Sequence, residues 1–526
     1  MKKTFILLAV VLLNLAVNSQ TVIAPDTIET NATWIDTVFL NSNVYIKNGV
    51  TLNINYGTKV IAQGNFKIQV QGNIVALGKQ NNKILFSVND TSGFADQYNE
   101  NGGWGGIELL NTDQNNDSSV FYYCIFQYGK AYGTNAEDQI GGVLNVSNYS
   151  KIRISNSVIE NNKAYTSGGG FYFKNSSPLI INNNFDNNFS GLQGGAIDFL
   201  YNTNSIIRNN IFTNNKSGAP DNYPPYMCQG SGAAINISSD NINYVPIVQN
   251  NKFFNNECSN GVFYESTRKI IFENNLLSNN VGCIIFCGHS LCQSLYINNT
   301  IVNNNTYDLM PVMNIMVNVS VKNNIFVGYT DNSHFSQPLL SINGNTPTNF
   351  TKIEYNYFQY GDYYLDGEGN IVGGVPMFLN PSTWVGLDPN AETYNYSLNN
   401  SSICVNAGIL DTIGLNLPEF DIIGNNRIFG GRIDMGAYEN IFTIWDNLNI
   451  IPKNEEMFLL YPNPSSSIII FKSNLKFIEV LNVNGKTILT AKGVNVLNIS
   501  GLQNGVYFVK ITTETGESFT QKIVKE

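Results

Sequence analysis

The side chains of this sequence that could carry chemistry are few, and each needs a partner. Hydrolysis of a glycosidic bond takes two carboxylates a fixed distance apart, one as acid and one as base or nucleophile. Asp198, Asp186 and Glu265 are the candidates on strand-like segments, and their spacing places no two Asp side by side. Elimination from a uronate takes a basic proton abstractor and carboxylates that hold Ca²⁺. Arg268 and Lys269 beside Glu265 come nearest, and the trio also reads as a solvated turn with surface ion pairs. His289 and His334, the two histidines of the chain, lie in or near loops without an evident Ser, Cys or Asp partner. The run Cys283 to Cys292 has none of the two-residue spacings of common zinc ligand pairs, so no metal site is assigned. The acidic loops Asp96 to Glu100, Asn111 to Ser119 and Asp362 to Asn370 leave Ca²⁺ possible, but none matches a strict ligand loop, and no cofactor is predicted.

Whatever positions these groups is repetitive. The segments ISNSVIENN, IINNNFDNN, IIRNNIFTNN, IVQNNKFFNN, IFENNLLSNN and YINNTIVNNN share an apolar residue, an Asn corner and an apolar anchor. The anchors are Ile159, Phe185, Phe212, Phe253, Leu277, Ile301, Phe326 and Phe358, with Phe126 ahead of them, and most lie 24–27 residues apart with longer insertions. That period marks a solenoid. Two residues before the anchor runs the column Asn183, Asn210, Asn251, Asn275, Asn299, Asn324 and Asn356. Identical amides at strand spacing can hydrogen-bond into a ladder, and Asn tolerates the left-handed backbone of a sharp corner. Gly, Asn, β-branched and aromatic residues dominate the unit, which favours short strands over helices.

A second element, GGVLNV, GGGFYF, GGAIDF and GAAINI, recurs after some anchors. Strand alternation turns its apolar pairs inward and leaves Asn145, Tyr172, Asp198 and Asn236 in one outward column. Tyr172, Asp198 and Asn236 form the candidate ligand site: an aromatic platform beside hydrogen-bonding groups suits a carbohydrate. The insertion containing Gly218 to Cys228 emerges beside them and could wall one side.

Composition narrows the classes. Charged residues make up 13% of the 526, the net charge is −10, and no basic stripe exists, so a nucleic-acid partner is excluded. Lys2 and Lys3 followed by the apolar run Phe5 to Val17 and the small Ser19 read as a signal peptide. No later run is long and apolar enough to span a membrane. The seven cysteines then face a compartment where disulfides persist, and an odd count leaves at least one unpaired within the chain.

Trp104 to Leu109, Phe121 to Gly133, the Asn corners and the Gly-Gly strands together resemble exported right-handed parallel β-helix proteins and the repeats of polymorphic outer-membrane adhesins. The resemblance implies a pectate-lyase-like solenoid, a fold shared by lyases, hydrolases and adhesins. Asp421, Gly424, Arg427, Asp434, Gly436, Ala437 and Glu439 are similar to the choice-of-anchor Q motif, which implies a closing cap held by ion pairs. The tail alternates apolar and polar residues between Gly turns, as a small β-sandwich does. Tyr461, Pro462, Asn463, Pro464, Asn484, Gly485, Gly505 and Tyr507 resemble the type A sorting domain of the type IX secretion system, which implies that machinery as partner and a secreted or outer-surface location.

The expected organisation is a signal peptide (1–19), an N-terminal cap and leading coils (20–100), β-helix repeats (101–380), a C-terminal cap (381–440), a linker (441–456) and the sorting domain (457–526). The fold class is all-β, a parallel β-helix followed by a small β-sandwich. The functional expectation is an adhesin-like or glycan-binding protein whose partner is an extracellular or surface polysaccharide. The alternative is a polysaccharide lyase or glycoside hydrolase on the same scaffold, with no catalytic residue assigned.

Overall fold

The computed structural model describes residues 21–441 and 460–526, apart from 97, 219–229, 307–309, 317, 329–338, 344–350, 361–366, 416, 462–463, 484 and 513–517. The segment expected to be a signal peptide, nearly all of the expected linker, most of the Gly218–Cys228 insertion, His334, Pro462, Asn463 and Asn484 fall outside the described residues.

Three long parallel sheets of 14, 12 and 12 strands run side by side from Thr21 to Val372, and each coil adds one strand to each sheet. The first sheet carries the anchors. Phe126, Ile159, Phe185, Phe212, Phe253, Leu277, Ile301, Phe326 and Phe358 pair in unbroken register and are buried. Phe185, Phe212 and Phe253 stack face to face with centroids 4.8 and 5.0 Å apart, as near-identical side chains at strand spacing must. In the region expected to hold a cap and leading coils, the coils begin already at Thr21–Ile23.

At the corners each Asn-Asn pair divides the work. The first residue of the pair takes the left-handed conformation, with φ of 57° at Asn209, 57° at Asn250, 59° at Asn274 and 54° at Asn298. The second turns its amide inward. Asn275 donates from its backbone N and from Nδ2 to Asn299 Oδ1 (3.0 and 3.1 Å), donates also to Val248 O (2.9 Å), and accepts from Asn251. The pattern repeats from Asn183 to Asn356 and ends on Asn370. A second buried ladder, Asn162, Asn188, Asn215, Asn256, Asn280 and Asn304, follows the anchors. Both the corner carbonyls and the side-chain amides are thereby satisfied away from water.

The segment expected to close the end of the solenoid lies along its flank instead. Residues 376–440 run over the outer face of the first sheet, where Tyr396, Ala437 and Tyr438 pack on Phe254, Leu276 and Val302. Left-handed corner asparagines hold it. Asn279 donates to the Trp384 and Gly386 carbonyls, Asn298 to those of Asp434 and Gly436, and Asn303 to that of Ser382. The ion-pair network expected around Arg427 is weak. The buried guanidinium donates to Gly436 O (2.7 Å) and keeps Glu439 at 3.8 Å, while Asp421 caps the backbone N–H groups of Ile423, Asn425 and Glu439. Burial raises the Asp434 and Glu439 carboxyls above the usual carboxylate range, against the nearby Arg427 charge and the backbone N–H groups that favour their charged forms. These carboxyls face protein rather than an open cleft.

The tail is a separate unit. A three-stranded and a four-stranded antiparallel sheet enclose Ile469, Phe471, Ile478, Val480, Val509, Ile511 and Ile523.

Asn275→Leu removes an amide bonded above and below, and is expected to cost about 1–3 kcal/mol. Glu100→Leu, on an exposed loop, is expected to leave the melting temperature nearly unchanged. Thermal unfolding of the two variants checks this, and equal shifts would remove the ladder's special role.

Candidate functional site

The second sheet carries the predicted outward column, and the register is as expected. Asn145, Tyr172, Asp198 and Asn236 lie side by side on successive strands, about 4.8 Å apart. Asn236 Nδ2 donates to Asp198 Oδ1 (2.6 Å), and Ser231 Oγ donates to Asn236 Oδ1 (3.3 Å). The exposure differs from expectation: Tyr172 is 6% exposed, Asp198 2% and Asn236 1%. The Gly-Gly steps explain this. Gly168, Gly194 and Gly232, with φ of 68°, 62° and 65°, fold the preceding backbone back across the column. A Cβ on Gly194 would stand 2.6 Å from that of Asp198, and one on Gly232 2.7 Å from that of Asn236. Ser167, Gln193 and Ser231 bridge along this overlying strip. Tyr172 therefore offers no open stacking face. Burial lifts the Asp198 carboxyl to about 7, against the hydrogen bonds from Asn236 and Ser167 that favour its charged form.

The column continues into residues that pattern reading missed. Tyr264 pairs with Asn236, and Phe286 with Tyr264. Both rings are half-buried and stack with centroids 5.1 Å apart and planes 6° apart. Gly288 closes on them, since a Cβ there would lie 2.9 Å from the Tyr264 hydroxyl. At the adjoining strand ends, exposed Asp240 meets His289 Nε2 (3.0 Å) and Arg268 (3.7 Å). The signal was present: Gly261-Val-Phe-Tyr keeps the alternation after a single glycine with φ of 76°, without the Gly-Gly pair that marked the earlier strands.

Glu265 does not face outward. It is fully buried and sits in the inward column, between Ile237 and Cys287. The trio with Arg268 and Lys269 does not form, because Arg268 turns to Asp240. Asp186 is half-buried on the outer face of the first sheet and pairs in register with Glu160. This is a carboxylate pair on adjacent coils that a search for Asp alone passed over. Burial, then the neighbouring Asp186, raise the Glu160 carboxyl, while Asn214 donates to Asp186 (2.8 Å). Of the cysteines, Cys124, Cys258, Cys283, Cys287, Cys292 and Cys404 are buried.

Residues 459–526 match the family model described as a secretion system C-terminal sorting domain. The chain is therefore an exported protein, secreted or held at the outer cell surface. The type IX secretion machinery is its partner in export. Within this domain Tyr461 ends the first strand, Gly485 turns a hairpin at φ 76°, Gly505 opens a strand, and the Tyr507 hydroxyl donates to Gln503 O (2.7 Å). No curated protein matches the chain. No helix among the described residues is long and apolar enough to cross a membrane.

Burial of Asp198 makes the stability of the fold depend on pH. The folded state holds the carboxyl proton more tightly than the unfolded chain, whose Asp titrates near 3.8. The stabilising contribution is full below that value and is lost as pH climbs through about 7. Asp198→Asn, which keeps the acceptor for Asn236, is expected to gain melting temperature relative to the parent between pH 4 and pH 8. A parallel pH dependence of the two would show that Asp198 ionises normally.

Proposed function

We propose that the exported solenoid is an adhesin-like, glycan-binding protein, and that the second sheet's outward column is its recognition face. The observation that carries the reading is the stacked, half-buried pair Tyr264 and Phe286 beside the Asp240, His289 and Arg268 cluster. A sugar ring presents an apolar face and a rim of hydroxyls. Flat aromatic surface next to fixed charged and amide groups meets both. The stacking role first expected of Tyr172 passes to these rings, and Asp198 and Asn236 act beneath the strip as a positioning pair. A rigid stack of coils suits an adhesin because it holds the face without ordering cost on binding.

A hydrolase is the second reading, favoured by Glu160 and Asp186. Their backbones are one strand spacing apart, about 4.8 Å, near the roughly 5 Å carboxyl separation of retaining glycosidases. The raised Glu160 suits an acid, and the amide-bonded Asp186 a nucleophile. Asp198 has no such neighbour in register, since Tyr172 and Asn236 flank it.

Tyr264→Ala is expected to weaken binding to a responsive glycan about tenfold, about 1.4 kcal/mol, with the fold intact. Titration on a panel of plant, algal and host polysaccharides checks it, and unchanged affinity would remove the platform. On the same panel, release of reducing ends abolished by both Glu160→Gln and Asp186→Asn would establish the hydrolase instead. Deleting residues from 457 onward is expected to leave folded solenoid inside the cell, as fractionation would show.

A further inference from the structure

We propose that Glu265, Cys287 and Cys292 form an interior binding site for one soft divalent cation of the zinc type. Earlier coils fill the inward column of the second sheet with Val146, Phe173, Phe199 and Ile237. At Glu265 that column abruptly receives a carboxylate, and on the next coil a thiol. The turn after Cys287 then brings the chain back into the interior at Cys292, whose N–H donates to His289 O (3.1 Å). All three side chains are fully buried, and their ligand atoms lie within 4.8 Å of one another. A carboxylate in an apolar interior is costly unless compensated, and here Thr267, Tyr296 and Cys292 gather polar groups around it in a column that is otherwise apolar on the earlier coils.

The carboxylate is also pre-positioned. Oε2 accepts from the Thr267 N–H (2.8 Å) and hydroxyl (2.7 Å), and Oε1 from the Tyr296 hydroxyl (2.9 Å) and the Cys292 thiol (3.2 Å). Thr267 and Tyr296 are outer partners that fix the orientation of a ligand, as supporting residues of metal sites do. A tetrahedral zinc ion with Zn–S bonds of about 2.3 Å holds its ligand atoms roughly 3.5–4 Å apart, which the cluster reaches by small side-chain shifts. On binding, both thiol protons leave and one divalent cation enters, so the charge of the cluster is unchanged. Two thiolates and one carboxylate favour zinc over Ca²⁺ or Mg²⁺, and leave a fourth position to water. The proposal is independent of the glycan reading, since the cluster faces the interior and the rings face out.

The competing outcome is a Cys287–Cys292 disulfide, which an oxidising compartment permits and which would consume both sulfur ligands. The full chain is purified without chelator, given Zn²⁺ or Co²⁺ alone, and passed through gel filtration before native mass spectrometry. The expected result is one retained ion per chain and, with Co²⁺, a thiolate charge-transfer band. Cys287→Ser and Cys292→Ser are expected to lose the band and at least tenfold in affinity, while Cys404→Ser retains both. If either variant fails to fold, the Co²⁺ spectrum of the parent chain still decides. A parent chain that retains no metal, whether its thiols titrate or its mass is two hydrogens short, overturns the proposal.

Discussion

The amide of a buried asparagine hydrogen-bonded to the same amide one coil away is the interaction on which this structure rests. A solenoid coil must turn sharply three times, and each turn leaves backbone groups with no strand partner. Asn275 shows the solution: one side chain binds a corner carbonyl below it and accepts two N–H groups from the preceding coil. Its neighbour Asn274 takes the left-handed backbone that makes the turn. Two such ladders bracket the first sheet and keep every coil at the same height, so the Phe stack between them has no freedom of register.

The rest follows from that fixed height. The outward-facing corner asparagines supply a row of donors at constant spacing, and the 376–440 segment lies along that row. On the second sheet the same spacing sets Asp198 against Asn236 and Tyr264 against Phe286. A face assembled this way is fixed by the fold itself, so the proposed recognition would need no ordering of its groups on binding.

Much of this was legible in the sequence because the interactions repeat. Every anchor from Phe126 to Phe358 and every ladder residue from Asn183 to Asn356 stands where the repeated Asn-corner pattern put it, because that pattern returns after each longer insertion as well as after each 24–27-residue step. The tail was legible through its motifs. Non-repeating choices were not. Alternation assigns Tyr172 to the outer side of a strand but says nothing of the Gly-Gly backbone that covers it. Glu265 is a candidate carboxylate by residue type and by its closeness in sequence to Arg268 and Lys269, whereas its register follows Phe263 inward. The 376–440 segment carries no period, so its position along the flank rather than over the end depends on tertiary hydrogen bonds that no local pattern encodes.

Hydrogen–deuterium exchange of the folded chain tests the ladder account most directly. Peptides spanning residues 182–188, 209–215, 250–256, 274–280 and 298–304 have the composition of surface turns but carry the buried, hydrogen-bonded amides of the two ladders. They are predicted to exchange as slowly as the strands they join, and to open with them in one cooperative step. Exchange of these corners at the rate of the exposed 134–137 turn would contradict the account.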